Sequence, residues 1–127
     1  MPPDSKQIVA QADAATERLS PAEAARLIGD PDTVFVDVRE QAELDKTGTI
    51  EGAVHVPRGF LEFKADPASP SHERALSSGK RLVLFCASGG RAALAAKTLK
   101  ELGVDRVAHV GGGGFEALKQ AGAPATR

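Results

Sequence analysis

The sequence predicts an α/β domain of three layers, a small, mostly parallel central sheet flanked by helices, and three observations predict it. Strand-like segments recur near residues 17, 34, 54, 82 and 107, with helical segments between most of them. Two of these segments, residues 33–38 and 82–85, are apolar on both faces at their centres, the pattern of strands covered above and below. Residues 82–103 read as strand, glycine-bearing loop and alanine-rich helix in one uninterrupted run. At 127 residues the chain is long enough for one domain with a core of its own.

Residues 1–16 are a polar, alanine-rich lead-in, flexible or helical, with no function assigned to it, and the domain proper is placed at residues 17–127. Glu17–Leu19 is a short edge strand. Ser20-Pro21-Ala22-Glu23 then starts a helix, with serine as N-cap, proline at the first helical position and glutamate closing a capping box. Ala24, Leu27 and Ile28 give this helix a buried face, and Gly29 ends it. Asp30-Pro31-Asp32 turns the chain into the second strand. Residues 39–46 read as a short polar helix, and residues 48–57 as a turn, a brief strand and a stop.

Residues 58–80 are the least regular part. Asp66-Pro67 and Ser69-Pro70 break any helix, Leu61 and Phe63 serve as core anchors, and one helical turn is expected near residues 72–76. A connection this long in a compact domain is either functional or mobile. After the strand at residues 82–85, the long helix turns Ala92, Ala95, Leu99 and Leu102 inward and is capped by Gly103. Val107–Val110 is the last strand, four glycines follow at 111–114, and residues 115–121 form a closing helix.

Composition removes several classes of function. The chain is 42% hydrophobic and 26% charged, the profile of an ordinary globular domain. Sixteen basic against 17 acidic residues, net charge -1, give no electrostatic case for nucleic acid or a membrane surface. The absence of Trp and Tyr argues against aromatic stacking platforms. One cysteine excludes an internal disulfide, and three histidines without ligand spacing leave neither a metal nor another cofactor expected. The start of the chain lacks the apolar run of a secretory signal, and no segment nears the roughly 20 apolar residues of a membrane span. A cytoplasmic protein is therefore expected, in a reducing compartment that suits a free thiol.

The cysteine, Cys86, stands at the carboxyl end of a buried strand, where ligands sit in sheets of this kind. The N–H groups of the loop Ala87-Ser88-Gly89-Gly90 can curl toward its sulfur, the following helix contributes its positive end, and Arg91 adds a charge at the rim. Such surroundings favour a thiolate nucleophile. The residues alone leave a second reading open, because a lone cysteine also serves as a small buried hydrophobe, and apolar burial opposes the anion. His55 and His109 lie within strands and read as satisfied structural histidines rather than bases. The glycines at 111–114 lack the lysine and spacing of a phosphate loop and read as a flexible turn near the active face.

Four motifs, in order, carry a family resemblance: Asp37-Val38-Arg39-Glu40; Gly48-x-Ile50-x-Gly52-Ala53-x-x-x-Pro57-Arg58-Gly59; Cys86-x-Ser88-Gly89-x-Arg91; and the glycine run with Phe115 and Ala121-Gly122-x-Pro124. From about Leu19 to Pro124 the chain resembles the single-domain rhodanese family of sulfurtransferases. The resemblance implies a rhodanese-like fold, and a Cys86 that accepts a sulfane sulfur as a persulfide and hands it to a thiol or cyanide. It also implies that the N–H groups of Ala87, Ser88, Gly89, Gly90 and Arg91 hold the anion and that Arg91 orients a donor such as thiosulfate. Arg58 is a candidate substrate-binding residue that either faces the pocket or solvates a turn. Asp37 and Arg39 take structural, hydrogen-bonding roles. Two positions depart from the family pattern: Thr49, where relatives often carry histidine, and Gly90, where a bulkier residue is common and its lack widens the pocket.

Two other functions share these features. A persulfide carrier acting only with a sulfur-relay protein needs the same loop. A cysteine-dependent phosphatase or arsenate reductase also needs a thiolate among N–H groups with an arginine behind it. Those loops usually place five residues between cysteine and arginine, whereas here four intervene.

Overall fold

The computed structural model describes residues 2–126; Met1, the first residue of the lead-in, and Arg127, the last of the domain as read from sequence, lie outside the described residues. The chain runs α1 (Ser5–Ala15), β1 (Glu17–Leu19), α2 (Pro21–Ala25), β2 (Thr33–Asp37), α3 (Gln41–Thr47), β3 (Val54–His55), α4 (Leu61–Ala65), β4 (Arg81–Phe85), α5 (Gly90–Glu101), β5 (Val107–Val110) and α6 (Gly114–Gln120). The five strands form one sheet in the order β1-β5-β4-β2-β3, and every pairing is parallel. β1 comes first in the chain yet lies at an edge, β2 to β3 runs outward to the opposite edge, and the chain then returns to β4, the middle strand, before β5 fills the place between β4 and β1.

The two-residue alternation of β4 divides the core. Leu82, Leu84 and Cys86 join Val36 and Val38 beneath Ala92, Ala95, Ala96 and Leu99 of α5. Val83 and Phe85 point the other way, into a cluster with Ala24 of α2 and Phe115 and Leu118 of α6. Each fully buried Leu or Phe contributes about 1.5–3 kcal/mol to folding. Both faces are covered, as the two-sided apolar pattern of β2 and β4 requires.

The lead-in is a capped helix. Asp4 Oδ1 accepts from the Gln7 N–H at 2.8 Å, and Gln7 Oε1 accepts from the Asp4 N–H at 2.8 Å. α1 packs against α5 and buries Ala12, and Ala93 of α5 is buried outside the sheet-facing cluster. Small side chains on both helices allow this approach. None of the described helices is long and apolar enough to cross a membrane.

Four local expectations need correction. α2 ends at Ala25 rather than Gly29; the chain continues through i→i−3 bonds, Leu27 N–H to Ala24 O and Ile28 N–H to Ala25 O, a tightening that closes the helix early. Phe63 is 62% exposed while Leu61 is buried, because two positions along α4 lie about 200° apart around the helix axis and cannot both face the core. Leu102 is 53% exposed, since the helix ends at this residue and Gly103, at φ +95°, turns the chain away. The turn expected near residues 72–76 is a 3₁₀ turn at Arg74–Ser77.

Candidate active site

Cys86 is the first residue beyond β4, and three backbone bonds fix the chain around it. The Val38 N–H donates to Phe85 O at 3.0 Å, the Phe115 N–H donates to Cys86 O at 2.8 Å, and the Gly111 N–H donates to Leu19 O at 3.0 Å. Gly114 makes the second contact feasible. It sits at φ +53°, and a Cβ there would fall 2.0 Å from Cys86 O and 2.8 Å from Ala87 O. The glycine run is thus a close-packed support for the loop, a function that its reading as a flexible turn missed.

The thiol is 0% exposed and lies on the α5 side of the sheet. Among Ala87, Ser88, Gly89, Gly90 and Arg91, Gly89 donates its N–H to Sγ, at 3.0 Å. Gly89 is the N-cap of α5 at φ +110°, a left-handed conformation that glycine adopts without steric cost and that bends its amide back toward the sulfur. Ser88, Gly89 and Gly90 continue into the first turn of α5, whose unpaired N–H groups place partial positive charge at this end of the helix.

Arg91 does not stand alone at the rim. Its Nη1 and Nη2 donate to Glu43 Oε1 and Oε2 at 2.6 and 3.1 Å, and both side chains are about one-third exposed. Glu43 belongs to the first turn of α3, where Oε1 also accepts from the Glu40 N–H at 3.3 Å. The hydrogen bonds from Arg91 hold the Glu43 carboxyl below the usual carboxylate range against the opposing effect of burial. Arg91 is in turn held more firmly protonated, first by Glu43, with the charge of Cys86 contributing less. Glu43 is a site residue that the sequence reading missed, because 48 positions separate it from Arg91.

Asp37 and Arg39 form a buried, hydrogen-bonded ion pair. Asp37 accepts from Arg39 Nη2 at 2.8 Å and from the Thr49 hydroxyl at 2.7 Å, while Arg39 also donates to Thr47 Oγ1 and Gly48 O. The Arg39 guanidinium lies 4.2 Å from the Phe115 ring centroid, so one side chain ties the end of β2 to α3 and α6. Removing one partner of such a buried pair typically costs about 3–5 kcal/mol. Thr49, a departure from the family pattern, supplies a hydrogen-bond donor to Asp37.

Arg58 is held elsewhere. Its Nη1 pairs with Glu62 at 3.2 Å and its Nη2 donates to Thr98 Oγ1 at 3.1 Å, at a point on α5 about two turns beyond Gly90. The structure therefore does not bring its guanidinium to the Cys86 loop. His55 Nε2 lies 2.7 Å from Arg39 O, and His109 contacts Asp13 and Thr16, so both histidines have structural partners.

Two recesses flank the loop. One, of about 190 Å³, is lined by Ala87, Glu43, Arg39, Thr47, Phe115 and Glu116. The other, of about 510 Å³, lies between α1 and the segments Ser88, Gly89, Gly90 and Gly111, Gly112. A Cβ on Gly90 would lie 3.6 Å from Val9 Cγ2, so the position lacking a bulky side chain is the one that α1 approaches.

Comparison with known proteins places this geometry in context. A family model described as a rhodanese-like domain matches residues 20–121. The tRNA uridine(34) hydroxylase of Mesorhizobium japonicum is 34% identical over 103 residues, covering 80% of this chain and 32% of that protein. The chain thus spans about a third of the length of the curated relatives it matches. A solved structure from Rhodopseudomonas palustris, of a protein of unknown function described as a possible tyrosine phosphatase, superposes with a TM-score of 0.91 at 38% identity, covering 99% of this chain and 96% of that one. The polysulfide-sulfur transferase of Wolinella succinogenes superposes with a TM-score of 0.71 at 32% identity, over 95% of this chain and 85% of that one.

Proposed function

The chain belongs to the rhodanese-like domain family, and on that premise we propose that it is a sulfurtransferase carrying sulfane sulfur on Cys86 between a small donor and a thiol or cyanide acceptor. The observation that carries this reading is the Gly89 N–H at 3.0 Å from Sγ, in a loop at the carboxyl end of the middle strand. A backbone donor aimed at sulfur stabilises negative charge there, on the thiolate before the reaction and on the leaving thiolate after it.

The steps balance without a cofactor. The Cys86 thiolate attacks the sulfane sulfur of thiosulfate, the S–S bond of the donor breaks, and sulfite leaves with the bonding pair. Cys86 then holds a persulfide. A thiolate acceptor attacks the outer sulfur, becomes a persulfide itself, and returns Cys86 as a thiolate; cyanide in the same role leaves as thiocyanate. An oxyanionic donor reaching for Arg91 meets Glu43 already seated there, so it has to compete for that guanidinium.

Phosphoryl transfer is the weaker reading. Four residues separate Cys86 from Arg91, one fewer than phosphatase loops usually have, and a shorter ring of N–H groups suits one sulfur better than a phosphoryl group. Nucleic acid is not among the proposed partners, because 16 basic and 17 acidic residues give no cationic surface excess. The proposed setting is the cytoplasm.

Steady-state kinetics test the proposal. Varying thiosulfate at several fixed acceptor concentrations should give parallel double-reciprocal lines, because covalent transfer lets donor and acceptor visit in turn. Converging lines would indicate that both must be bound together and would remove the persulfide from the pathway. Turnover only in the presence of a partner protein would favour the carrier reading, and cysteine-dependent hydrolysis of an aryl phosphate would favour the phosphatase reading.

A further inference from the structure

Resting on the sulfur-transfer reading, we infer that Glu43 sets the donor class. By holding Arg91 it turns the site away from oxyanions such as thiosulfate and toward organic persulfides whose organic part carries no charge. Arg91 stands in the first turn of α5, two positions after the Gly89 whose N–H is on Sγ. Cys86 is buried, so the charge that an approaching donor meets at this end of α5 is that of the Arg91–Glu43 pair, each member about one-third exposed.

The fork of a guanidinium is the part suited to an oxyanion, because two parallel N–H groups match two oxygens. Here both Nη atoms already face both oxygens of Glu43, at 2.6 and 3.1 Å, and among the described residues Arg91 has no other acceptor. Thiosulfate can use the fork only by displacing a carboxylate and leaving it without its cation. One charge pair then replaces another, and the site gains little selectivity for the oxyanion.

The carboxylate is well anchored. Its Oε1 also accepts from the Glu40 N–H at 3.3 Å, in the capping box of α3. The hydrogen bonds from Arg91 hold the carboxyl below its usual range, so it stays ionised at neutral pH. No neighbouring charge restores an attraction for anions. Arg39 is committed to Asp37 at 2.8 Å, and Glu40 adds a negative charge that Arg91 feels. The small recess beside Ala87 carries Arg39 and Lys46 against Glu43 and Glu116, so it offers an anion no excess of positive charge.

A persulfide donor, R–S–S–H, has no need of the fork. The Cys86 thiolate attacks its outer sulfur, the donor's S–S bond breaks, and the thiolate R–S⁻ leaves with the bonding pair. Cys86 keeps the outer sulfur, with its proton, as a persulfide. The Gly89 N–H serves this step as it serves the reaction with thiosulfate.

Glu43→Gln tests the inference, because the amide oxygen can still accept from Glu40 and Arg91 while the charge is gone. The second-order rate of loading Cys86, followed by intact mass, is compared for thiosulfate and the persulfide of 2-mercaptoethanol. The ratio of the thiosulfate rate to the persulfide rate should rise about fivefold, the worth of one partly exposed charge pair. In an Arg91→Ala background the same change should lose most of this gain. An unmoved ratio, equal changes with both donors, or a full gain without Arg91 would overturn the assignment. Sulfate, an oxyanion with no sulfur to transfer, separates binding from transfer. Titrated by the amide resonances of Ala87 and Gly89, it should bind Glu43→Gln about fivefold more tightly than the wild type, and unchanged affinity would count against the masking of Arg91. Tighter sulfate binding in a protein that gains sulfur from no donor would support the role of Glu43 and count against the transfer reading. Normal loading with an unmoved ratio would do the reverse.

Discussion

Cys86→Ser should reduce sulfur-transfer turnover to the uncatalysed background, a loss on the order of 10³-fold or more. The serine hydroxyl is close in size to the thiol and can accept the Gly89 N–H that now reaches Sγ, so the fold and the loop should survive. What disappears is a sulfur that is both a nucleophile at neutral pH and a good leaving group in the second step. With one cysteine in the chain, no neighbouring thiol can take over. Thermal unfolding should shift little while rates collapse in both the thiosulfate–cyanide and thiosulfate–thiol assays. A serine variant that turns over normally would take Cys86 out of the chemistry.

Gly114→Ala should produce the second large effect, acting through the backbone. At φ +53° a non-glycine residue costs about 1–2 kcal/mol, and its methyl would stand 2.0 Å from Cys86 O, so the loop or α6 must move. A displacement of about 1 Å at the reacting group can cost on the order of 10²-fold in rate. Gly29→Ala is the matched control, with φ +85° and nothing within 4 Å of the added carbon. Both variants should lose stability, but only Gly114→Ala should lose activity to this extent. Similar activity in the two would mean that the glycine turn does not position Cys86.

Much of the framework was legible because it is written in local pattern. The two-sided apolar runs of β2 and β4, the Ser20 capping box, and the strand-to-helix transition through Cys86 depend on neighbours a few residues apart. The placement of Asp37 with Arg39 was legible for the same reason, since two positions separate them. Long-range features were not. Nothing near Glu43 points to Arg91, yet their pairing decides how much of that arginine's charge a donor meets. The same holds for α1: its alanine-rich sequence gives a helix, but only the fold brings Val9 to Gly90 and Asp13 to the buried His109. Arg58 shows the converse, a residue suited to the pocket by motif whose guanidinium is taken by Glu62 and Thr98.

The most direct measurement is the intact mass of the protein after incubation with thiosulfate alone. Sulfite should leave, and the wild type should become heavier by one sulfur atom. No second cysteine can convert the persulfide into an internal disulfide, so the added mass should persist until acceptor arrives. Cyanide or a small thiol should then restore the starting mass, while Cys86→Ser should show neither change. A wild-type protein that gains no sulfur from thiosulfate or any other sulfane donor would contradict covalent carriage on Cys86.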